Sequence, residues 1–206
     1  ELARDYLKNP VRVEVSPPGK VADKVVHSVH YVTKEQKVPL LIDLLDAHRE
    51  ELALVFARTK HGAERLKGQL EKVGFAASAI HGNKSQGQRD RALEEFRSAK
   101  TRVLVATDVA ARGIDIAGVA HVYNFDLPNV PENYVHRIGR TARAGRDGIA
   151  IAFCATDETG LLRDIERLMG FEIATASGER PEGLSRPARG GNKRGGQNRG
   201  NGNGQG

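Results

Sequence analysis

The chain has a single cysteine, no apolar run longer than seven residues, and no GxxxxGK[ST] phosphate-binding loop. Each absence removes a class of protein. One cysteine, Cys154, rules out an internal disulfide and suits a reducing compartment. It lies within IAIAFCA (Ile149 to Ala155), so it reads as a buried structural thiol and not as a nucleophile. That stretch is the longest apolar run, and it is too short for a helix to cross a bilayer. No signal-like segment opens the chain, which leads us to expect a soluble cytoplasmic protein with no membrane partner. The seven histidines are scattered, and no His/Cys/carboxylate spacing suggests a metal site, so no metal is expected. No repeat with a period of 20–50 residues is visible.

Hydrophobic residues make up 39% of the 206 positions, and the shortfall is concentrated at the C-terminus. From Gly178 to Gly206 there are ten glycines in 29 residues, no aromatics, six Arg or Lys against two Glu, and Arg-Gly pairs at Arg189, Arg194 and Arg199. Such a segment cannot bury enough surface to fold alone, and 178–206 is expected to be a disordered basic tail. That stretch holds +4 of the net charge of +6, so the body carries about +2. An anionic partner fits, but the composition does not make the whole body a polyanion-binding surface. Residues 1–20 end in SPPGK with no periodic core pattern and read as the end of a preceding domain and a linker. That leaves 21–177 as one folded domain, a size that can bury a real core.

Along this body, short apolar runs alternate with stretches of helical period. Strands are expected at Val25–Val32, Leu52–Phe56, Phe75–Ile80, Arg102–Ala106, Val119–Phe125 and Gly148–Ala155. Helices are expected through Val38, Leu41, Ile42 and Leu45, through Ala63, Leu66, Leu70 and Val73 with Gly74 as C-cap, and from the N-cap Ser85 to Ser98. Two more run from Pro131 to about Ile138 and through Leu161, Leu162, Ile165, Leu168 and Met169. Strands joined through helices predict a doubly wound α/β domain, its sheet mostly parallel and its helices on both faces.

In open α/β sheets, ligands gather outside the carboxyl ends of the strands. The loops at those ends read ARTK after Phe56, HGNKSQGQR after Ile80, TDVAARGID after Ala106 and DLPNVPENYVHRIGR after Phe125. Thr59, Gly82 and Thr107 are suited to hold a nucleic-acid strand by its phosphates and sugars, although Thr59 and Ser85 also serve as ordinary helix caps. Gln86 and Arg89, three apart at a helix start, share a face. Arg137, Arg140, Arg143 and Arg146 recur every third residue, a concentration of positive charge that calls for an anionic target.

VFART (Val55 to Thr59), HGNKSQGQR (His81 to Arg89), VLVATDVAARGIDI (Val103 to Ile116) and YVHRIGRTARAG (Tyr134 to Gly145) resemble motif IV, the Gln-x-x-Arg element, motif V and motif VI of DEAD-box RNA helicases. They stand in family order across about 90 residues, and with the flanking strands, over roughly Val25 to Gly170, the chain is similar to the second, C-terminal RecA-like domain of such enzymes. The wording is most similar to the bacterial RhlE-type subgroup. The resemblance implies that Arg140 and Arg143 act as arginine fingers on a transferred phosphoryl group. Such fingers are worth roughly 10³–10⁵ in rate, or about 4–7 kcal/mol. It implies that Gly113 and Asp115 meet the nucleotide, and that His136 and Arg137 couple the domains. It places Arg58, Thr59, Gly82, Gln86, Arg89, Thr107 and Asp108 at RNA-facing or motif-supporting positions, and leaves Arg146 as surface charge.

No DEAD or Ser-Ala-Thr segment accompanies the missing phosphate loop. In the family these elements belong to the first domain, which holds most ATP contacts and the Mg2+. The expectation is therefore the C-terminal half of an ATP-dependent RNA helicase, inactive alone. Its implied partners are RNA, the N-terminal RecA-like domain of the same protein, and ribonucleoprotein or RNA-degradation machinery. A noncatalytic RNA-binding module needs none of Arg140, Arg143 and Asp115. A DNA-translocating helicase is separated from the first reading by motif wording alone.

Overall fold

The computed structural model describes residues 25–114, 116, 119–141 and 148–184. Seven strands form one sheet: β1 (Val25–Tyr31), β2 (Ala53–Phe56), β3 (Ala77–Ile80), β4 (Val103–Ala106), β5 (His121–Asn124), β6 (Gly148–Cys154) and β7 (Ala174–Ser177), in the order β3-β4-β2-β5-β6-β1-β7. Every pairing is parallel, so each step between neighbours requires a crossover. Among the described residues six α-helices supply it: α1 (Lys37–Asp46), α2 (Lys60–Lys72), α3 (Gln86–Arg97), α4 (Asp108–Ala111), α5 (Pro131–Ile138) and α6 (Thr159–Met169).

The central strands ALVF, VLVA and HVYN are buried along their whole length because both sheet faces are covered. Alternate residues supply the two cores. Ala53 and Val55 face Leu41 and Leu45 of α1 and Ala63, Leu66 and Leu70 of α2. Leu54 and Phe56 face Ala92, Leu93 and Phe96 of α3. The second face continues through the Val122–Ala150 register pair into a cluster of Val29, Ala152, Tyr134, Ile138, Leu162 and Ile165, covered by α5 and α6. At roughly 1.5–3 kcal/mol per fully buried large aliphatic side chain, these contacts hold the helices to the sheet.

Local signals set the helix ends. Ser85 and Gln88 form a reciprocal capping box on α3, Thr59 caps α2 by accepting from the Gly62 N–H at 3.0 Å, and Pro131 opens α5. Gly74, expected as a C-cap, has φ +90° after α2, and Gly170 has φ +78° after α6.

Two features depart from the sequence expectation. A seventh strand, ATAS, adds to the edge beside β1, all four residues exposed. Residues 178–184, which composition assigns to the tail, pack onto the domain. Arg180 makes two bonds to the buried Glu166, at 2.9 and 2.6 Å, and donates to Tyr31 Oη at 3.0 Å, while Leu184 enters the core. The expectations for 1–20 and for the remainder of the tail lie outside the described residues.

Candidate functional site

The strand order makes β3, β4, β2, β5 and β6 consecutive neighbours. Their carboxyl ends therefore bring the loops at 57–59, 81–85, 107–114, 125–130 and 155–158 to one sheet edge. Nearly all of the candidate residues sit on these loops or on the helix starts beyond them.

Arg137 organises the centre of this edge. Its side chain is 1% exposed and forks onto Asp108, Nε to Oδ1 at 2.7 Å and Nη2 to Oδ2 at 2.8 Å. Nη1 donates to Asn124 Oδ1 at 3.0 Å and to the Asp126 carbonyl at 2.6 Å, and the guanidinium lies 4.9 Å from the centre of the Phe56 ring. Arg137 thus ties α5 to the ends of β2, β4 and β5. The guanidinium expected to couple the domains is buried and fully engaged within its own fold. Asp108, expected at an RNA-facing or motif-supporting position, is the carboxylate held by Arg137. His136, one residue earlier on α5, is exposed.

Arg140 follows the end of α5 and is only half-buried. Its Nη1 donates to the Ile114 carbonyl at 2.7 Å and its Nη2 to the Ala111 carbonyl at 3.1 Å. Motif VI is thereby laid against motif V, with Arg140 at the rim of a small cleft that it shares with Arg112, Asn133 and His136. Thr141 reinforces this seam by donating to the Val119 and Ala120 carbonyls at 2.6 and 3.0 Å. Gly113 is exposed with φ +70°, a conformation that favours glycine, and a Cβ there would meet nothing within 4 Å. Asp115, Arg143 and Arg146 lie outside the described residues.

A second ionic group, not legible in the sequence, stands beside it. Lys37 is 4% exposed; its Nζ contacts Glu158 Oε2 at 2.6 Å and Asp126 Oδ1 at 3.3 Å. Glu158 also accepts from the backbone N–H of Leu127 and of Ala155. Arg58, expected at an RNA-facing or motif-supporting position, is exposed yet joins this group: Nη2 donates to Glu158 Oε1 at 2.9 Å and to the Leu127 carbonyl at 3.0 Å, and its backbone N–H donates to Asp126 Oδ2 at 2.9 Å. These residues come from four separated segments, and no local spacing relates them.

The Gln-x-x-Arg element divides. Gln86 is exposed and donates to Asp90 Oδ1 at 2.7 Å, while Arg89 reaches across to the Ala110 carbonyl at 3.1 Å and binds α3 to α4. Gly82 and Thr59 are exposed, and Thr107 is buried at the N-cap position of α4, where its side chain makes no capping bond. His81 receives the Asn83 N–H at Nδ1 and contacts Glu64 at 2.8 Å. That bond, with Lys84 beside it, holds the Glu64 carboxyl below its ordinary range.

The rim offers guanidinium and imidazole groups together with exposed backbone, a donor set that suits phosphate oxygens. Asp108 and Asp126 are both engaged by basic side chains of this chain, so these two carboxylates do not fit a divalent cation. At the opposite, amino-terminal edge, which carries no expectation of metal chemistry, the fold brings His48, Glu51 and His121 together.

The fold and this edge define a RecA-like helicase domain, and residues 36–145 match the helicase conserved C-terminal domain family, to which the chain belongs. More narrowly, it is a DEAD-box C-terminal domain. It is 43% identical over 177 residues to the ATP-dependent RNA helicase RhlB of Shewanella halifaxensis, covering 86% of this chain and 41% of that protein. Among solved structures it resembles a DEAD box protein from the hyperthermophile Methanococcus jannaschii, with TM-score 0.71, 41% identity, and 75% of this chain and 42% of that one covered. It also resembles the E. coli DEAD-box protein SrmB bound to regulator of ribonuclease activity A, with TM-score 0.68, 36% identity, and 80% and 95% covered. The chain thus spans about two fifths of the length of the curated relative. Its named neighbour is RhlB, and the RhlE-type subgroup is not supported.

Proposed function

We propose that this chain supplies the C-terminal half of an ATP-driven RNA duplex-opening machine. The observation that carries the reading is the seam between motifs V and VI: Arg137 locks α5 to the strand ends, and Arg140 stands immediately beyond it, half-buried at the rim and held by the Ile114 and Ala111 carbonyls. A polyphosphate carried by a neighbouring domain would meet Arg140, with Arg143 as second finger and Gly113 and Asp115 at the nucleotide. Catalysis of phosphoryl transfer rests mostly on positioning and charge stabilisation, which such a rim provides. Mg2+ would be held mainly by the N-terminal RecA-like domain, in keeping with the prior engagement of Asp108 and Asp126.

RNA would lie along the adjoining part of the edge and be held through phosphates and sugars, indifferent to base identity. Thr59, Gly82 and Gln86 are the exposed contacts in this reading. Thr107 lies at the turn beneath them, and Arg58, Arg89 and Asp108 hold the loops in place. ATP and RNA together would close the two domains and bend one strand. A cytoplasmic setting accords with the lone buried Cys154, and the RraA complex of SrmB motivates a protein partner from RNA degradation or ribonucleoprotein assembly.

The test joins this chain to the N-terminal domain of an RhlB relative and measures displacement of a short RNA duplex with and without ATP. ATP-dependent displacement is the expected result. RNA binding without RNA-stimulated ATP turnover or displacement would overturn the reading in favour of a noncatalytic RNA-binding module.

A further inference from the structure

At the sheet edge opposite the motifs, His48 and Glu51 lie in the connection between α1 and β2, and His121 begins β5. The register pairs Ala53 with His121, which sets Glu51, two residues before β2, against the imidazole. Glu51 Oε2 stands 3.0 Å from His121 Nδ1 and 3.8 Å from His48 Nδ1, and the two rings are 4.4 Å apart between centroids. The neighbouring Arg102 contacts Glu50 and not Glu51, so the Glu51 carboxylate is directed to the histidines.

We infer that His48, Glu51 and His121 form a binding site for a divalent transition cation of the zinc class, with water as fourth ligand. Two imidazoles and one carboxylate are an ordinary three-residue set for such an ion. Geometry carries the argument further than residue type does. With bonds of about 2.0–2.1 Å, two neighbours in a tetrahedral shell lie about 3.3 Å apart, and the observed 3.0 and 3.8 Å bracket that value. The His121 side chain is 2% exposed and its Nδ1 is buried without a hydrogen-bond partner, although a carboxylate oxygen is within 3.0 Å. The contact has the length of a hydrogen bond and lacks its alignment. An oxygen that shares an ion with an imidazole nitrogen must sit off the nitrogen's lone-pair axis, because the ion occupies that axis.

Bound there, the ion would tie the α1–β2 connection to the start of β5, remote from the motif edge. The test is calorimetric titration of the 206-residue chain with ZnCl2, paralleled by the visible absorption of bound Co2+. The expected result is one saturable site with the spectrum of four-coordinate Co2+, weakened at least ~10-fold by His48→Gln and also by Glu51→Gln. Both side chains are exposed, so these variants should fold; His121→Gln serves as a third arm, read only where circular dichroism matches the parent. Absence of saturable binding, or binding that survives either exposed substitution unchanged, would overturn the proposal.

Discussion

Removing the Arg137 guanidinium tests how this edge is built. Arg137→Ala deletes a forked ion pair to Asp108, two further bonds to Asn124 and the Asp126 carbonyl, and the contact with Phe56. Hydrogen bonds to charged groups contribute roughly 1.5–3 kcal/mol each, but bonds made by one side chain are not additive. The better guide is the cost of breaking a buried pair by removing one partner, roughly 3–5 kcal/mol. Asp108, at 23% side-chain exposure, recovers some hydration, which places the loss toward the lower end, about 3–4 kcal/mol. For a domain of this size that is a fall in Tm of about 6–16 °C. Arg137→Lys should recover little of it, since an ammonium cannot reproduce the planar fork. The assay is urea and thermal unfolding followed by circular dichroism. A loss below about 1 kcal/mol, the range of an exposed ion pair, would refute the assignment of Arg137 as the strut of the site.

Other consequences follow from the same coordinates. Burial pushes the Cys154 thiol up to about 12, so a thiol reagent should leave it unmodified in the folded protein at neutral pH and modify it fully in urea; equal rates in the two states would contradict its burial. Burial lowers the pKa of His30 and His121 below their ordinary 6.5, so the unfolded chain takes up protons first as the pH falls. Stability should therefore be at its full value above 6.5 and decline as the pH drops through the folded-state values, and His121→Gln should flatten the urea-midpoint profile; a midpoint that rises on acidification through this window would show the sign to be wrong. A Cβ on Gly148 would collide with the Thr141 side chain and lie 2.8 Å from its carbonyl carbon, so Gly148→Ala should cost roughly 1–3 kcal/mol in a denaturant titration, and a neutral effect would show that this seam is loose.

The parts of the fold that were legible in the sequence are those in which burial leaves a periodic trace. ALVF, VLVA and HVYN are strands because both faces are covered, and α5 begins at Pro131 as its sequence indicates. β7 was illegible because ATAS is exposed throughout and joins the sheet at its edge, paired only with β1 and tied to it by the His30 Nδ1–Ser177 Oγ contact at 2.7 Å. Residues 178–184 were hidden by glycine-rich composition, since what holds them is Arg180 meeting the buried Glu166 and a single apolar residue, Leu184, entering the core. The spacing of the arginines at every third residue does not itself say which of them is buried. The helix ends at Ile138, so Arg137 projects into the domain whereas Arg140 lies past the helix end, and their environments differ. Lys37, Asp126 and Glu158 come from separate segments, and only the strand order brings them together.

The role proposed for Arg140 is to stabilise charge on phosphate delivered by a neighbouring domain. It is tested most directly by single-turnover ATP hydrolysis, with saturating RNA, in a two-domain protein carrying Arg140→Ala. The account predicts a rate lowered by roughly 10³–10⁵, with the fold and the affinity for RNA retained. A rate within about tenfold of the parent, with ATP and RNA still bound, would contradict it.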